Sequence, residues 1–285
     1  MTTILITGSK GQLGNEMQLA AQSYPQHKFI YTDVDELDIC NKQSLADFVK
    51  HNSVNFIVNC AAYTAVDKAE DDVDLCYKIN HEALKNIAEV ATENNIKVIH
   101  VSTDYVFDGT NYKPYTEDQT VCPQSVYGKS KLAGEQALSN NCKQSVIIRT
   151  SWLYSTFGNN FVKTMIKLGT ERESLNVIFD QIGTPTYAAD LAEVILKIIS
   201  SQHFTPGIYH FSNEGVCSWY DFTKTIHRMA NISCHVQPIE TKDYPTRAPR
   251  PHYSVLNKAK IKLTYDLQIP HWEESLQKCI NILQS

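Results

Sequence analysis

Short apolar runs alternate with longer stretches of helical spacing in the first half of the chain, and this alternation limits the folds that the chain can adopt. Five runs are rich in β-branched residues and apolar at consecutive positions, which is typical of strands buried on both faces of a parallel sheet. Between them, apolar residues recur three and four positions apart, as in crossover helices. The pattern predicts an α/β fold with a doubly wound parallel sheet. The predicted strands span residues 4–7, 29–32, 56–59, 98–102 and 146–149, and the predicted helices span residues 13–22, 44–51, 72–93 and 126–139.

A glycine-rich loop follows the first predicted strand, with Gly8, Gly11 and Gly14 in the spacing Gly-x-x-Gly-x-x-Gly. Glycines at this place let backbone N–H groups reach a pyrophosphate at the N-terminus of the following helix. The loop predicts a Rossmann-type dinucleotide-binding sheet, with NADH or NADPH as the coenzyme. Asp33 favours NADH because it can accept hydrogen bonds from the adenosine ribose, whereas Lys10 favours NADPH because its ammonium can pair with a 2′-phosphate. The sequence leaves this choice open.

The alternation ends near residue 150, beyond which aromatic residues and prolines become more frequent. Residues 244–251, Tyr-Pro-Thr-Arg-Ala-Pro-Arg-Pro, favour extended and turn conformations. We predict a dinucleotide-binding domain over residues 1–150, rejoined by residues 182–203. A smaller C-terminal α/β substrate-binding domain is predicted over residues 151–181 and 204–285.

Charge and cysteine usage exclude several classes of protein. A formal net charge of −5 gives no basic excess, so no nucleic-acid-binding surface is predicted. The eight cysteines form no Cys-x-x-Cys pair and accompany no histidine cluster at zinc spacing, which predicts free thiols in a reducing compartment. No leader-like segment precedes the first predicted strand, and no apolar run has the length of a membrane span. We therefore predict a soluble cytoplasmic protein without a membrane or nucleic-acid partner.

One tyrosine and one lysine have the spacing of a catalytic pair. Tyr127 and Lys131 are four residues apart in a predicted helix, so their side chains share one face. A nearby ammonium favours the phenolate and lowers the phenol pKa from about 10. Thr103 follows the fourth predicted strand, at the edge where doubly wound sheets bind ligands, and its hydroxyl can reach a substrate carbonyl or the Tyr127 oxygen. We predict that these residues are catalytic; the plainer alternative is a helix surface pair and an ordinary strand-end threonine.

Longer motifs carry a resemblance to a known family. Over essentially its whole length, the chain resembles the extended short-chain dehydrogenases/reductases and, among them, the dTDP-4-dehydrorhamnose reductase family. The glycine and Tyr-x-x-x-Lys motifs specify only the superfamily, whereas the other motifs are much narrower. The matching segments are residues 8–14, 59–70, 102–109, 127–135, 149–152, 183–186 and 244–251.

This resemblance implies NAD(P)H-dependent reduction of the C4 keto group of dTDP-6-deoxy-L-lyxo-4-hexulose to dTDP-L-rhamnose. It makes Tyr127 the proton donor to the C4 alkoxide, while Lys131 holds the nicotinamide ribose and Thr103 polarises the carbonyl. The implied partner is a dTDP-sugar substrate, and a homodimer is left open. The implied coenzyme-binding residues are Gly8, Gly11, Gln12, Leu13, Gly14, Asp33, Asp38, Ile39, Ala62, Tyr63, Thr64, Tyr127 and Lys131, and the substrate-binding residues are Thr103, Asp104, Trp152 and Arg250.

Two positions that match the family have plainer alternatives. Arg250, in the proline-rich segment, is about equally consistent with a solvated surface arginine. Glu16 matches one position of an interface Mg²⁺ site that some family members have. A lone glutamate in a first helical turn commonly serves only the helix dipole. We therefore predict no catalytic metal and leave a structural Mg²⁺ open.

Two other functions stay open. A nucleotide-sugar 4,6-dehydratase or 4-epimerase would use the same tyrosine and lysine but would begin by oxidising the sugar. Dehydratases typically carry Thr-Asp-Glu where this chain has Thr103-Asp104-Tyr105, so the resemblance to them is weaker. The second alternative is a non-catalytic, cofactor-binding regulatory subunit resembling that of methionine adenosyltransferase. An intact tyrosine and lysine pair does not decide against it.

Overall fold

The computed structural model describes residues 1–285, in which strands and helices alternate from the N-terminus. The first five strands occupy the five predicted strand segments. In chain order the strands are β1 (Thr2–Thr7), β2 (His27–Thr32), β3 (Phe56–Asn59), β4 (Lys97–Thr103), β5 (Ser145–Thr150), β6 (Leu153–Tyr154), β7 (Ser174–Ile178), β8 (Ile182–Gly183), β9 (Thr186–Tyr187), β10 (Gly207–His210), β11 (Cys217–Ser218) and β12 (His235–Ile239). The α-helices are α1 (Gln12–Ala20), α2 (Lys42–His51), α3 (Val66–Ala69), α4 (Val73–Tyr77), α5 (Ala83–Glu93), α6 (Val126–Asn141), α7 (Phe161–Glu171), α8 (Ala188–Ser200), α9 (Trp219–Ala230), α10 (Ala259–Tyr265) and α11 (Trp272–Gln284).

Six strands form one parallel sheet in the order β10-β5-β4-β3-β1-β2. Helices cover both of its faces, because successive side chains of a strand point to opposite sides. Ile4 and Ile6 face a core shared with α1 and α8. Leu5 and Ile57 face a second core shared with α2 and α5. The predicted doubly wound, Rossmann-type sheet is therefore confirmed.

A third core holds together the elements that follow the central sheet. It is built from α7, α9 and α11, with β7 and β12 paired in parallel beside them. Phe222 and Trp272 meet edge to face in this core, with 5.7 Å between ring centroids. The chain enters this part from the carboxyl end of β5 through β6, so the third core begins beside the edge of the sheet where ligands bind in such folds.

The strand β10 completes the central sheet, although the predicted boundary assigns it to the second domain. It pairs in parallel with β5 along its whole length, from Gly207 to His210. A parallel neighbour requires a crossover connection, and α8 provides it by packing on α1. The boundary between residues 203 and 204 is therefore placed too early. The rest of the predicted division into domains stays a prediction.

The predicted helix over residues 72–93 is interrupted by a wider turn, Lys78–Glu82, with π-helical hydrogen bonding. Asn80 in this turn is buried, and its side-chain nitrogen donates to the hydroxyl of Ser130 in α6 at 3.0 Å. A Cβ at Gly134 of α6 would lie 2.1 Å from the carbonyl oxygen of Asn80, so only a glycine lets the helix approach the turn. Single π turns are frequent at functional sites. This one supports the helix that carries the predicted catalytic tyrosine and lysine.

All eight cysteines are free thiols, and four of them are buried. None of the helices has both the length and the apolar character that a membrane crossing requires. The cytoplasmic location and the homodimer stay predictions.

Candidate active site

The glycine loop joins β1 to α1 at the carboxyl edge of the sheet. Gly8 has a φ of +65°, and a Cβ there would lie 2.6 Å from the backbone nitrogen of Ala61, which follows β3. Gly11 is the N-cap of α1 and places no side chain over the N–H groups of the first turn. These N–H groups and the helix dipole favour an anion. The loop therefore fits the pyrophosphate of a dinucleotide.

A cleft of about 450 Å³ extends from this loop across the carboxyl ends of β3, β4 and β5. It brings together side chains that are more than a hundred residues apart in the sequence. Of the predicted site residues, its lining includes Gly11, Gln12, Leu13, Ala62, Thr64, Thr103, Asp104, Tyr127, Lys131 and Trp152. Gly8, Gly14, Asp33, Asp38, Ile39, Tyr63 and Arg250 lie outside this lining.

Tyr127 is positioned by the first turn of α6, where the Ser125 hydroxyl accepts a hydrogen bond from the Gly128 N–H at 3.1 Å. Its ring packs edge to face on Tyr105, with 5.5 Å between centroids. Burial raises the pKa of Tyr127 above its ordinary value, although the nearby Thr103 hydroxyl acts in the opposite direction. The phenol is therefore protonated at neutral pH, which suits a proton donor.

Lys131 lies one turn further along α6 and is 2% exposed. Its Nζ is 3.1 Å from Nε2 of His100 and donates to the carbonyl oxygen of Val101 at 2.8 Å. Burial lowers the pKa of Lys131 to about 8. The prediction that Lys131 lowers the pKa of Tyr127 stays a prediction. The ammonium is turned toward β4, and the effect of burial on the phenol prevails.

Thr103 is the last residue of β4, and its hydroxyl holds the side chain of Asp104 in place. Its hydroxyl donates to Oδ1 of Asp104 at 3.0 Å and accepts from the Tyr105 N–H at 3.2 Å. The Asp104 side chain is buried in the wall of the cleft. Burial raises the pKa of Asp104 to about 6, more than the Thr103 hydroxyl lowers it. Thr103 and Asp104 thus present two oxygen groups within reach of Tyr127.

Asp33 and Lys10 are in direct contact at the far end of the glycine loop. The Lys10 N–H donates to one Asp33 carboxylate oxygen at 3.0 Å, and the Val34 N–H donates to the other at 2.9 Å. The Lys10 ammonium lies 3.1 Å from Asp35 and 2.8 Å from Glu36. A 2′-phosphate must therefore compete with two carboxylates for Lys10, while Asp33 is held in place by backbone donors.

Three further residues predicted to bind the coenzyme make contacts within the protein. Asp38 accepts a hydrogen bond from the Cys40 N–H at 2.9 Å. The Ile39 side chain is buried in the core beneath α2 and α5. The Tyr63 hydroxyl donates to Asp72 at 3.0 Å. A role for these three residues in coenzyme binding stays a prediction.

Trp152 follows β5 with a φ of +48°, which is unusual for a bulky side chain. Its indole stacks on that of Trp219, with 3.5 Å between centroids and 9° between planes. Phe161 packs on Trp219 from another direction at 4.4 Å. Such backbone conformations cost energy and persist where their surroundings fix them. The aromatic stack therefore holds Trp152 in the lining of the cleft.

Arg250 lies beside the cleft. Its Nη2 is 2.6 Å from Asp67, and its Nη1 donates to the Tyr105 hydroxyl at 3.4 Å. The side chain is 19% exposed, so the alternative of a solvated surface arginine is wrong. Tyr105 and Arg250 line a smaller cavity of about 50 Å³ next to the cleft. Direct contact between Arg250 and a substrate stays a prediction.

Comparison with known proteins identifies the family. Residues 1–285 match the family model described as the RmlD substrate binding domain. The dTDP-4-dehydrorhamnose reductase of Aggregatibacter actinomycetemcomitans is 41% identical to the chain, over 97% of this chain and 98% of that protein. The chain belongs to the dTDP-4-dehydrorhamnose reductase family. The resemblance seen in the motifs is thereby confirmed.

Solved structures of dTDP-4-dehydrorhamnose reductases share this fold over its full length. The protein from Clostridium acetobutylicum has a TM-score of 0.96 and 45% identity, and the match covers 100% of both chains. The protein from Bacillus anthracis, in complex with NADP, has a TM-score of 0.95 and 41% identity, covering 99% of this chain and 100% of that one. The glycine loop of this chain fits the same class of coenzyme by its own geometry.

Sequence reasoning misses two polar residues beneath the cleft of this reductase-family chain. His100 contacts Lys131 on one side and Asn59 on the other, and both His100 and Asn59 are buried in the central sheet. Each stands in a run predicted as a buried strand. A polar residue in such a run needs a hydrogen-bond partner, and this signal could have found both. Trp219 gave no comparable signal, because its partner Trp152 is distant in the sequence.

Glu16, which matches an interface metal position of the family, is buried within this chain. Its Oε1 accepts a hydrogen bond from the Ser155 hydroxyl at 2.6 Å. Burial raises the pKa of Glu16. No group of three or more His, Cys, Asp or Glu side chains that could hold a metal ion is present. Within one chain, Glu16 links α1 to the segment after β6.

We expect Asp104→Asn to raise the free energy of unfolding by about 2 to 3 kcal/mol near pH 8 and to lower turnover. The native carboxyl has a pKa of about 6, above its ordinary value of 3.8, so its ionisation costs stability as the pH rises between these values. The gain is therefore complete above pH 6 and absent at about pH 4 and below. Urea unfolding at several pH values measures it, with Asp47→Asn on the exposed side of α2 as control. A gain that is the same at every pH would contradict this account.

Proposed function

We propose that the chain is an NAD(P)H-dependent dTDP-4-dehydrorhamnose reductase that converts dTDP-6-deoxy-L-lyxo-4-hexulose to dTDP-L-rhamnose. One observation carries the proposal. Thr103, Tyr127 and Lys131 line a single cleft that begins at the glycine loop, in a chain that belongs to this reductase family. The cleft thus combines a place for a dinucleotide with a protonated phenol.

The chain's own residues account for the proton in this reduction. The coenzyme, when bound, supplies the hydride to C4. Tyr127 then gives its phenol proton to the alkoxide oxygen, because burial keeps the phenol protonated until that negative charge forms. The Thr103 hydroxyl, which donates to Asp104 in the free protein, turns its single proton to the same oxygen and so polarises the carbonyl. One hydride and one proton together convert the ketone to the alcohol.

Lys131 has a binding role in this scheme. The Lys131 ammonium has three N–H donors, and two of them point to His100 and Val101. The third is left for the nicotinamide ribose, since Lys131 also lines the cleft. Its positive charge further stabilises negative charge that develops nearby during the proton transfer.

The presence of a tyrosine at position 105 favours a reductase over a dehydratase. It stands where dehydratases typically carry the glutamate of Thr-Asp-Glu. Its ring packs on Tyr127, and its hydroxyl is engaged by Arg250. Burial raises the pKa of Tyr105 to about 12, so it is a poor base for removing a proton from a sugar carbon.

The decisive assay follows the absorbance of NADPH or NADH with dTDP-4-keto-6-deoxyglucose and its 3,5-epimerase, and omits the epimerase as control. Oxidation that depends on the epimerase and yields dTDP-L-rhamnose supports the proposal. If the coenzyme binds but no oxidation occurs, the substrate is a different nucleotide sugar or the chain is a regulatory subunit. Oxidation of the sugar at C4 with NAD⁺ would instead indicate a dehydratase or epimerase.

For coenzyme choice, we expect Asp33→Asn to raise the ratio of kcat/KM for NADPH to that for NADH by about tenfold. The Asp33 carboxylate accepts a hydrogen bond from a free ribose hydroxyl but repels a 2′-phosphate. The asparagine amide carries no charge, so it does not repel the phosphate. Asp47→Asn is the control, because Asp47 is exposed on α2 and contacts Gln43 and neither Lys10 nor Asp33. An unchanged ratio in Asp33→Asn would mean that this residue does not face the adenosine ribose.

A further inference from the structure

Three polar residues form a row across the centre of the sheet. Thr7 in β1 is aligned with Asn59 in β3, and Asn59 is aligned with His100 in β4. Residues that are aligned in neighbouring strands point to the same face. All three are at most 2% exposed, in strands that are otherwise largely apolar. Buried polar groups require partners, and this row supplies them internally.

The row ends at the ammonium of Lys131. The Thr7 hydroxyl lies 2.6 Å from the side-chain oxygen of Asn59, whose nitrogen lies 3.0 Å from Nδ1 of His100. Nε2 of the same imidazole lies 3.1 Å from Nζ of Lys131. The sheet therefore connects directly to a residue of the proposed active site.

Few other charged or titratable groups act on Lys131. Glu135 of the same helix raises its pKa, although that carboxylate is paired with Arg149. The Cys76 thiol, from α4, acts in the same direction. Tyr127 precedes Lys131 by one turn and is protonated. His100 is thus the side chain that makes direct contact with Nζ from β4.

The imidazole can satisfy this row in two ways. Burial and the nearby ammonium lower the pKa of His100 well below 6.5, so the ring is neutral and carries one proton. If Asn59 donates to Nδ1, the proton is on Nε2, and Lys131 must accept it as a neutral amine. If Lys131 is an ammonium, Nε2 must accept, the ring proton is on Nδ1, and the Asn59 amide turns so that its oxygen faces Nδ1. The charge of Lys131, the tautomer of His100 and the orientation of Asn59 therefore change together.

We propose that His100, oriented by Asn59, is a positioning residue that controls the charge of Lys131. This inference rests on the proposed function for its catalytic meaning, since the charged form of Lys131 binds the coenzyme ribose. The row places this control inside the sheet, out of contact with substrate and coenzyme. His100 therefore acts through Lys131 and not on the reacting atoms.

The test is an NMR titration of Lys131 in protein carrying ¹³C at the Cε of lysine, without substrate or coenzyme. Lys131→Met identifies the resonance. His100→Leu removes the acceptor of the ammonium, so the pKa of Lys131 is expected to fall by about one unit. In Asn59→Asp, the new carboxylate can only accept a hydrogen bond from Nδ1 of His100. This fixes the arrangement in which Lys131 is an ammonium, so the pKa of Lys131 is expected to rise by about one unit.

Opposite shifts separate this role from a structural one, because a loosened site would admit water and raise the pKa of Lys131 in both variants. Thr32→Val is the matched control. Thr32 is aligned with Thr7, at the end of the row far from Lys131, so its substitution is expected to leave the pKa of Lys131 unchanged. A folded His100→Leu or Asn59→Asp protein without the expected shift overturns the inference. If His100→Leu does not fold, His100→Phe replaces it: phenylalanine keeps a ring at this position but offers Lys131 no acceptor, so the same fall in the pKa of Lys131 is expected.

The titration is independent of the proposed reaction. If the chain reduces the sugar but the shifts are absent, only the role of His100 fails. If the shifts are present but no sugar is reduced, the proposed function fails and the control of Lys131 stands. In an active enzyme, the alkaline limb of kcat/KM for the coenzyme is expected to move with the pKa of Lys131 in each variant.

Discussion

Tyr127→Phe is expected to lower turnover by about two orders of magnitude or more while leaving the dissociation constant of NADPH nearly unchanged. Phenylalanine keeps the ring that packs on Tyr105, so the wall of the cleft is preserved. Only the hydroxyl that carries the transferable proton is removed. Steady-state kinetics with the epimerase-coupled substrate measures turnover, and the fluorescence of bound NADPH measures affinity.

Tyr24→Phe is the control for this experiment. The Tyr24 hydroxyl contacts Glu193 at 3.5 Å, away from the cleft, so its loss should leave turnover unchanged. Wild-type turnover in Tyr127→Phe would exclude Tyr127 as the proton donor. A large loss of NADPH affinity in the same variant would instead indicate a role in coenzyme binding.

Arg149→Met is expected to lower the free energy of unfolding by about 3 to 5 kcal/mol, because it leaves a buried carboxylate without its counter-charge. Arg149 in β5 and Glu135 in α6 have side chains that are 3% and 2% exposed, and their closest atoms are 2.7 Å apart. The Ser102 hydroxyl of β4 donates to the same carboxylate. Arg149 and Ser102 together therefore join two strands to α6 through Glu135. Denaturant unfolding measures the loss.

The double variant Glu135→Leu/Arg149→Met should recover most of this stability. Replacing both partners of a buried ion pair by apolar residues is often neutral or stabilising, whereas removing one partner is not. With the Glu135→Leu single variant measured as well, the two single variants and the double variant give the coupling between the two residues. If the double variant is as unstable as Arg149→Met, lost packing and not the unpaired charge explains the effect.

The sequence predicts those parts of the fold and of the site that are determined by residues close together in the chain. Buried parallel strands require consecutive apolar residues, and the loop at Gly8 requires residues without a Cβ. The spacing of Tyr127 and Lys131 places both on one face of a helix wherever the helix lies. These features depend on neighbours in the chain, so the pattern indicates them directly.

The features that sequence does not predict depend on contacts between distant segments. The ion pair of Arg250 with Asp67 joins positions that the loop brings together only in the folded chain. The contact of Lys131 with His100 depends on the packing of α6 over β4. The same packing buries Tyr127, which is why its pKa is raised when helix spacing alone predicts the opposite. The place of β10 likewise follows from its pairing with β5 and not from its own residues.

The close approach at Gly134 has a consequence for how this site tolerates change. Any side chain at this position meets the backbone of the π turn, which cannot move aside as a flexible side chain can. The whole of α6 would have to shift, and with it Tyr127 and Lys131. Substitutions among the many residues that line the cleft can alter one contact at a time. Gly134 is thus hard to replace although it lies outside the lining of the cleft and contributes no side chain at all.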